Sequence, residues 1–246
     1  MKILVLDIET RPSLGYVWQL WDQNISLSQL VEVGEVICFA AKWLDGKKII
    51  FKSTYHHSKE EMVQKAWDLI DEADAVIHYN GKGFDIKHLN REFLLAGLTP
   101  PSPHKDIDLL TVCRGRFKFL SNKLDHVANQ LGLGNKISHA GFQLWIDCMA
   151  GNKKAWGEMR NYNMHDVVLT EQLYYKLLPW IKNHPNVNLY NGDDNKFACR
   201  CGSVNLHKRG YQYTGAGRYQ QYQCNDCGAY NADRKRNLSA ALKNSN

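Results

Sequence analysis

Acidic residues at three separate places in the 246-residue chain have types and spacings that suit a metal ion. Asp7 and Glu9 end an apolar run, which predicts a strand that presents both carboxylates on one face. Asp85 follows a second predicted strand and a glycine-containing turn, while Tyr162 and Asp166 have the spacing of one helix face. Carboxylates gathered in one pocket repel each other unless a cation neutralises them. Oxygen ligands suit Mg²⁺ or Mn²⁺, and two such ions can promote phosphodiester hydrolysis.

Four of the seven cysteines form two close pairs near the C-terminus, each followed by glycine: Cys199, Cys201, Cys224 and Cys227. An odd total of cysteines and the absence of a secretory signal pattern argue against a disulfide framework. Four thiolates bind Zn²⁺ in a tetrahedron, so the spacing predicts one structural zinc ion. His207 is a candidate substitute if one cysteine is out of reach. A segment this short buries little core, and the metal would supply its folding energy.

The positive charge of the chain is concentrated in the same region. From Lys196 onward there are nine basic and two acidic residues, a net charge of +7, whereas residues 1–195 carry −1 of the total of +6. Such asymmetry indicates a polyanionic partner. Lys208, Arg209 and Arg218 are candidate phosphate contacts, and tyrosines between the cysteine pairs can stack on unpaired bases. A purely structural or protein-docking module is the alternative.

Hydrophobic periodicity predicts the elements that position these residues. Predicted strands lie at 2–8, 36–44, 48–53, 75–79 and 105–110, with a hairpin turn at Asp45-Gly46. Predicted helices lie at 58–72, 85–96 and 122–131, and residues 153–181 are mainly helical with an interruption near Gly157. Residues 11–34 are expected to form a packed surface loop, with a substrate-side flap as the alternative. The pattern predicts an α/β domain with a mixed sheet.

A polar segment with a proline and a glycine marks the predicted domain boundary. We expect a first domain at 1–182, a linker at 183–195 and a basic, cysteine-containing domain at 196–246. The glycine-containing turn between the predicted strand at 75–79 and Asp85 lacks the spacing of a phosphate-binding P-loop, which excludes that class of nucleotide site.

Three motifs resemble, in order and approximate spacing, those of the DEDD superfamily of 3′–5′ exonucleases over residues 1–182: Asp7-x-Glu9, Asn80-x-x-x-Phe84-Asp85 and Tyr162-x-x-x-Asp166. The last motif is similar to that of the tyrosine branch, which includes the proofreading domains of family A and B DNA polymerases. Asn161 stands where the histidine branch requires histidine. The resemblance implies a ribonuclease H-like mixed five-stranded sheet flanked by helices. The C-terminal domain resembles a zinc ribbon, although its first pair is Cys-x-Cys.

The resemblance also implies a role for each residue of these motifs. Asp7, Glu9 and Asp166 would hold the ion that carries the attacking water, and Asp7 would bridge to a second ion. Asp85 would reach that second ion through water, and Tyr162 would orient the nucleophilic water. Asn80 and Phe84 occupy positions near the terminal nucleotide, although Phe84 is equally a candidate helix-start core residue.

These observations together predict a metal-dependent 3′–5′ exonuclease acting on single-stranded or 3′-ended DNA, with two Mg²⁺ or Mn²⁺ ions and one structural Zn²⁺. A 3′–5′ exoribonuclease and a non-catalytic nucleic-acid-binding protein on a nuclease fold stay open as alternatives. No apolar run reaches the roughly 18 residues that span a bilayer, so we expect a soluble cytoplasmic protein without a membrane partner. The sequence leaves the oligomeric state open, as well as a protein partner for the ribbon.

Overall fold

The apolar run at the N-terminus forms the central strand of a five-stranded sheet in the computed structural model, which describes residues 1–134, 141–190, 192 and 197–240. The sheet contains β1 (Ile3–Thr10), β4 (Val36–Trp43), β5 (Ile49–Ser53), β6 (Ala75–His78) and β7 (Lys105–Asp108), in the order β5-β4-β1-β6-β7. β1 pairs antiparallel with β4 and parallel with β6. The predicted mixed five-stranded sheet flanked by helices is confirmed.

Alternation along β1 separates its apolar and acidic side chains onto the two faces of the sheet. Leu4, Leu6 and Ile8 belong to a core cluster with apolar residues of α1 (Lys59–Asp71) and α2 (Asp85–Leu95). Asp7 and Glu9 therefore lie on the opposite face. Cys38 of β4 stands directly across from Glu9, and it packs in a second cluster with residues of α5 (Gln143–Met149) and α6 (Lys153–Leu177).

Three helical features differ from the sequence-based expectation. α6 runs unbroken for 25 residues, so the predicted interruption at Gly157 is wrong. The strand predicted to end at residue 110 stops at Asp108, whose carboxylate accepts hydrogen bonds from the N–H groups of Leu110 and Thr111 and so caps α3 (Leu109–Arg116). α5 was not predicted. α4 (Leu124–Gln130) lies within its predicted range. None of the described helices is long and apolar enough to cross a membrane.

Residues 11–34 form an exposed excursion rather than the packed loop expected. Two short strands, β2 (Leu14–Gly15) and β3 (Leu30–Glu32), pair at its base. Arg11 anchors the same base through ion pairs with Glu32 and Glu35. Trp18, in the middle of the segment, is 96% exposed and therefore does not pack against the domain.

The chain divides into two compact units, one spanning residues 2–173 and the other running from Tyr174 onward and including Met1. The second unit contains α7 (Val187–Tyr190) and an antiparallel sheet of β8 (Leu206–Thr214), β9 (Gly217–Cys224) and β10 (Tyr230–Ser239), with β9 in the centre. Within the predicted linker, residues 191 and 193–195 lie outside the described part of the chain.

Candidate functional site

Two elements from opposite ends of the first unit bring three carboxylates together. Asp7 and Glu9 lie on β1, and Asp166 lies on α6. One carboxylate oxygen from each residue lies within 4.8 Å of the other two. Asp166 is buried, and the two strand residues are half-buried, so the cluster is open on one side. Three converging carboxylates in this setting need a cation or protons to offset their mutual repulsion.

Asn163, which the sequence analysis did not single out, fixes the orientation of Asp7. Its Nδ2 donates to Asp7 Oδ2 at 2.7 Å and to the Asp7 backbone carbonyl at 3.2 Å. Both partners are acceptors, so only the amide nitrogen can face them. Asn163 is fully buried on the inner stripe of α6, which also contains Met159, Asp166, Val167 and Thr170. An asparagine on such a stripe was the available signal.

Asp85 approaches the cluster from the other side of β1, through the backbone. Its Oδ1 accepts a hydrogen bond from the N–H of Ile8 at 3.1 Å, between Asp7 and Glu9. β6 ends at His78 whereas β1 continues to Thr10, and Asp85 at the start of α2 takes over the pairing there. Burial raises the pKa of Asp85 to about 6, although the hydrogen bond from the Ile8 N–H favours the ionised form. Its carboxylate is outside the group of three.

The turn between β6 and α2 is held by a buried histidine. Nδ1 of His78 accepts a hydrogen bond from the N–H of Gly81 at 3.0 Å, so Nε2 carries the proton that it donates to Asp106 at 3.0 Å. A Cβ at Gly81 would lie 2.4 Å from Cγ of His78, which restricts this position to glycine. The carboxylate of Asp108 accepts from the N–H groups of Asn80 and Lys82.

Asn80 and Phe84 both lie in this turn and have exposed side chains. Asn80 has a left-handed backbone with φ of 72°, and its carbonyl accepts hydrogen bonds from Gly83 and Phe84. The Phe84 ring packs on His88, with 4.5 Å between the ring centroids. Phe84 is thus a surface residue of the turn, and the alternative of a core position for it is wrong.

Tyr162 precedes Asp166 by one helical turn on α6 and is largely buried. Its ring meets Trp145 edge to face, with 6.1 Å between centroids. Trp145 also lines an open, mostly apolar cavity of about 390 Å³, together with Thr10, Pro12, Gly141 and Phe142. Because Thr10 directly follows Glu9, the cavity begins where the acidic strand ends.

The acidic cluster creates a strongly negative local potential. Cys38 stands opposite Glu9, and burial, followed by the charges of Glu9 and Asp7, raises the pKa of its thiol well above the usual value. Carboxylate oxygens in a negative potential are the donor set that hard divalent cations prefer. The residues present therefore fit Mg²⁺ or Mn²⁺, which Asp7, Glu9 and Asp166 would hold.

The four C-terminal cysteines also converge, with all four Sγ atoms within 4.8 Å of one another. The Sγ atoms of Cys199 and Cys227 are 3.6 Å apart, and those of Cys201 and Cys224 are 3.9 Å apart. Zn–S bonds of about 2.3 Å in a tetrahedron place sulfur atoms about 3.8 Å apart. The four thiols therefore fit one Zn²⁺. His207, exposed on β8, does not belong to the group.

A tight turn follows the first cysteine of each pair, and backbone N–H groups also donate to the sulfur atoms of Cys201 and Cys224. Gly202 and Gly228 have φ of +97° and +78°, and their N–H groups donate to the carbonyls of Cys199 and Cys224. Burial acts to raise the pKa of the Cys224 thiol, but backbone hydrogen bonds from Cys227 and Asp226 and side-chain hydrogen bonds with Ser203 and Cys227 together lower it to about 7. The Cys-x-Cys spacing of the first pair does not prevent Cys201 from reaching the group.

The sequence profile of the RNase H superfamily matches residues 30–178, which is more than half of the chain. The chain belongs to the RNase H superfamily. Within this RNase H domain, the profile match includes Asp85, Tyr162 and Asp166 but begins after β1, so the Asp7 and Glu9 positions rest on the structure alone. No curated protein matches the chain significantly in sequence.

The fold of this RNase H superfamily member is similar to part of a much larger enzyme. The family B DNA polymerase from the hyperthermophilic archaeon Pyrobaculum calidifontis aligns with a TM-score of 0.54 and 20% sequence identity. The alignment covers 72% of this chain and 24% of the polymerase chain. At this level of identity the likeness concerns the fold, and the chain spans about a quarter of the polymerase's length.

Proposed function

We propose that the protein is a metal-dependent 3′–5′ exonuclease of the DEDD tyrosine branch. The observation that carries the proposal is the convergence of Asp7, Glu9 and Asp166, whose carboxylate oxygens lie within 4.8 Å of one another. Membership of the RNase H superfamily and the fold shared with a DNA polymerase support it.

Each residue of the site has a task in this proposal. Asp7, Glu9 and Asp166 would hold the divalent ions, and Asn163 keeps the Asp7 carboxylate in one orientation. When bound, the ions supply Lewis acidity at the scissile phosphate and lower the pKa of water. Tyr162 would orient the attacking water, whose deprotonation the ions would promote. Asp85 would support the second ion through water.

The direction of cleavage and the choice of DNA form the finer part of the proposal. The apolar cavity beside Thr10 has the character of a nucleobase site. Asn80 and Phe84, exposed on the turn before α2, would contact the terminal nucleotide. The motif resemblance and the polymerase fold favour a 3′ terminus of DNA as substrate. In the second unit, the four cysteines would hold Zn²⁺, and Lys208, Arg209 and Arg218 would contact phosphates.

The decisive experiment follows nucleotide release from 5′-labelled DNA and RNA strands in parallel, with Mg²⁺ or Mn²⁺. We expect a ladder of products shortened from the 3′ end on DNA. Asp166→Asn should lose roughly a hundredfold or more in rate, because a ligand worth several kcal/mol of transition-state stabilisation is removed. Glu158→Gln, an exposed carboxylate on the same helix, serves as the matched control and should retain full activity.

Four outcomes would count against the proposal. Retention of more than a few per cent of activity by Asp166→Asn would remove the metal-ion assignment. Rapid cutting of closed circular single-stranded DNA would contradict a requirement for a 3′ terminus. A preference for RNA in the parallel assay would convert the assignment to an exoribonuclease, and no release from either strand would favour a binding protein.

A further inference from the structure

The strand register of the C-terminal sheet sorts its side chains onto two different faces. Side chains alternate between the two faces along the central strand β9, so its even-numbered residues share one face. A residue paired directly opposite one of them lies on the same face. Tyr213 stands opposite Arg218, Tyr211 opposite Gln220, and Lys208 opposite Tyr222. We call this side the tyrosine face, and its members used below are the exposed Lys208, Tyr211 and Tyr213 and the half-buried Arg218.

The tyrosine face is aromatic and cationic, with two exposed tyrosines and a half-buried arginine. The Arg218 guanidinium lies 4.2 Å from the centroid of the Tyr211 ring, in cation–π geometry. Tyr213 is 72% exposed and Tyr211 is 41% exposed. Among the described residues, no ion pair involves Arg218 or Lys208, so neither charge is neutralised by a carboxylate there.

The opposite face has a different character. Tyr219 lies there beside Arg236, whose Nε donates to the Tyr219 hydroxyl at 3.3 Å. Arg236 also covers Gly217, since a Cβ at that glycine would lie 2.6 Å from Cδ of the arginine. Tyr230, paired with Gln223, is 48% exposed on the same face, where it offers a matched comparison for the tyrosine face.

We propose that the tyrosine face binds single-stranded nucleic acid by stacking unpaired bases on Tyr213 and on the Tyr211–Arg218 pair, with Lys208 contacting the backbone. This inference rests on the proposed function, because a nuclease supplies the strand, and it specifies the contact as stacking on one face. Stacking on a tyrosine ring does not require a charged partner, and the +7 net charge of the tail selects a polyanion. Stacking tolerates any base sequence, which suits an enzyme that must process every 3′ end.

Binding of the full-length protein to 5′-labelled oligonucleotides, followed by fluorescence anisotropy without added Mg²⁺ or Mn²⁺, tests the proposal. DNA and RNA strands are compared with abasic strands of equal length. We expect Tyr213→Ala to weaken binding of the normal strand about tenfold with an unchanged salt slope. Its preference for the normal strand over the abasic strand should shrink, because one of the two stacking sites is lost and the Tyr211–Arg218 pair stays. Lys208→Ala should instead reduce the salt slope by about 0.7. Tyr230→Ala, the opposite-face control, should bind as the wild type does.

Equal binding of normal and abasic strands by the wild type would overturn the proposal, as would an equal loss in Tyr230→Ala and Tyr213→Ala. Far-UV circular dichroism and zinc content of each variant verify that its fold is intact. Cleavage of a short strand with Mg²⁺ is measured separately on the wild type. Cleavage without base-dependent binding would contradict this inference and leave the nuclease assignment standing. Base-dependent binding without cleavage would support this inference and contradict the nuclease assignment.

Discussion

The buried asparagine on α6 shows how a candidate metal ligand is fixed in advance. Asn163 donates to both a carboxylate oxygen and the backbone carbonyl of Asp7, so the aspartate is held in one orientation. Hydrogen bonds to a ligand from outside the metal's coordination shell set its geometry and contribute to affinity. Asn163 is therefore a positioning residue that acts through Asp7.

Replacing this amide should change the response of the enzyme to metal. We expect Asn163→Ala to raise the Mg²⁺ concentration for half-maximal cleavage by about tenfold or more, because Asp7 loses its side-chain donor. The measurement is a metal titration of the cleavage rate, supported by a thermal melt. Asn161→Ala, which makes the same change on the exposed side of the helix, is the control. An identical Mg²⁺ titration for Asn163→Ala and the wild type would exclude the role.

The acidic residues could be predicted from the sequence, whereas the contact between Asn163 and Asp7 could not. Asp7, Glu9 and Asp166 stand in motifs whose spacing is visible along the chain, and the structure brings them together. Asn163 interacts with a residue 156 positions away, and no local pattern encodes that contact. The roles of the acids and of Tyr162 stay predictions until cleavage is measured.

At the scale of elements, the turn between β6 and α2 connects fold and site. His78 and Asp108 bind its backbone N–H groups, and the helix that follows places Asp85 against β1. Gly81 permits the close approach to His78. The turn is thus a structural support for the position of Asp85.

Two glycine substitutions should have opposite effects on stability. Gly81→Ala should lower the free energy of unfolding by about 1–3 kcal/mol, because its Cβ would lie 2.4 Å from a buried ring. Gly157→Ala should raise it by up to about 1 kcal/mol, since this helical position has no neighbour within 4 Å of a new Cβ. Urea denaturation measures both, and unchanged stability of Gly81→Ala would contradict the assigned packing.

The sheet was predictable from local patterns, but several helix boundaries depend on tertiary contacts. β1, β4, β5 and β6 are apolar runs bounded by turn residues, and the predicted ranges agree with them within about two residues. Gly157 suggested a break because glycine has low helix propensity. In the structure its neighbours Trp156 and Met159 are buried in the second core cluster, and that packing outweighs the propensity. The Asp108 cap of α3 was a local signal that was overlooked.

At the scale of the whole molecule, the two candidate metal centres lie in different compact units. The acidic cluster is contained in residues 2–173, and the cysteine group lies in the unit that begins at Tyr174. Charge is divided in a similar way, since the residues before Lys196 carry −1 and those after it carry the excess positive charge. If the proposed function holds, this arrangement would separate bond cleavage from long-range attraction to phosphate.

Removing one thiol of the cysteine group should separate the two properties. If the four thiols hold Zn²⁺, the small sheet would depend on that metal to fold. We then expect Cys224→Ser to contain less zinc than the wild type and to show a flatter salt dependence of nucleic-acid binding. Cleavage of short strands at high enzyme concentration should persist. Cys148→Ser, a buried cysteine outside the group, should keep its zinc. Zinc content is read by atomic spectroscopy, and unchanged zinc in Cys224→Ser would contradict the assigned site.

The link between Asp7 and Asn163 also determines when the site can exist during protein synthesis. β1 leaves the ribosome before α6, and the residues that complete its acidic cluster follow more than 150 positions later. Contacts at such separation cannot form until both partners are synthesised, and they must close a long loop at an entropic cost. A nascent or prematurely terminated chain that ends before α6 contains two carboxylates and no partner helix. A chain that ends before α6 therefore cannot assemble the acidic cluster, because Asp166 has not yet been synthesised.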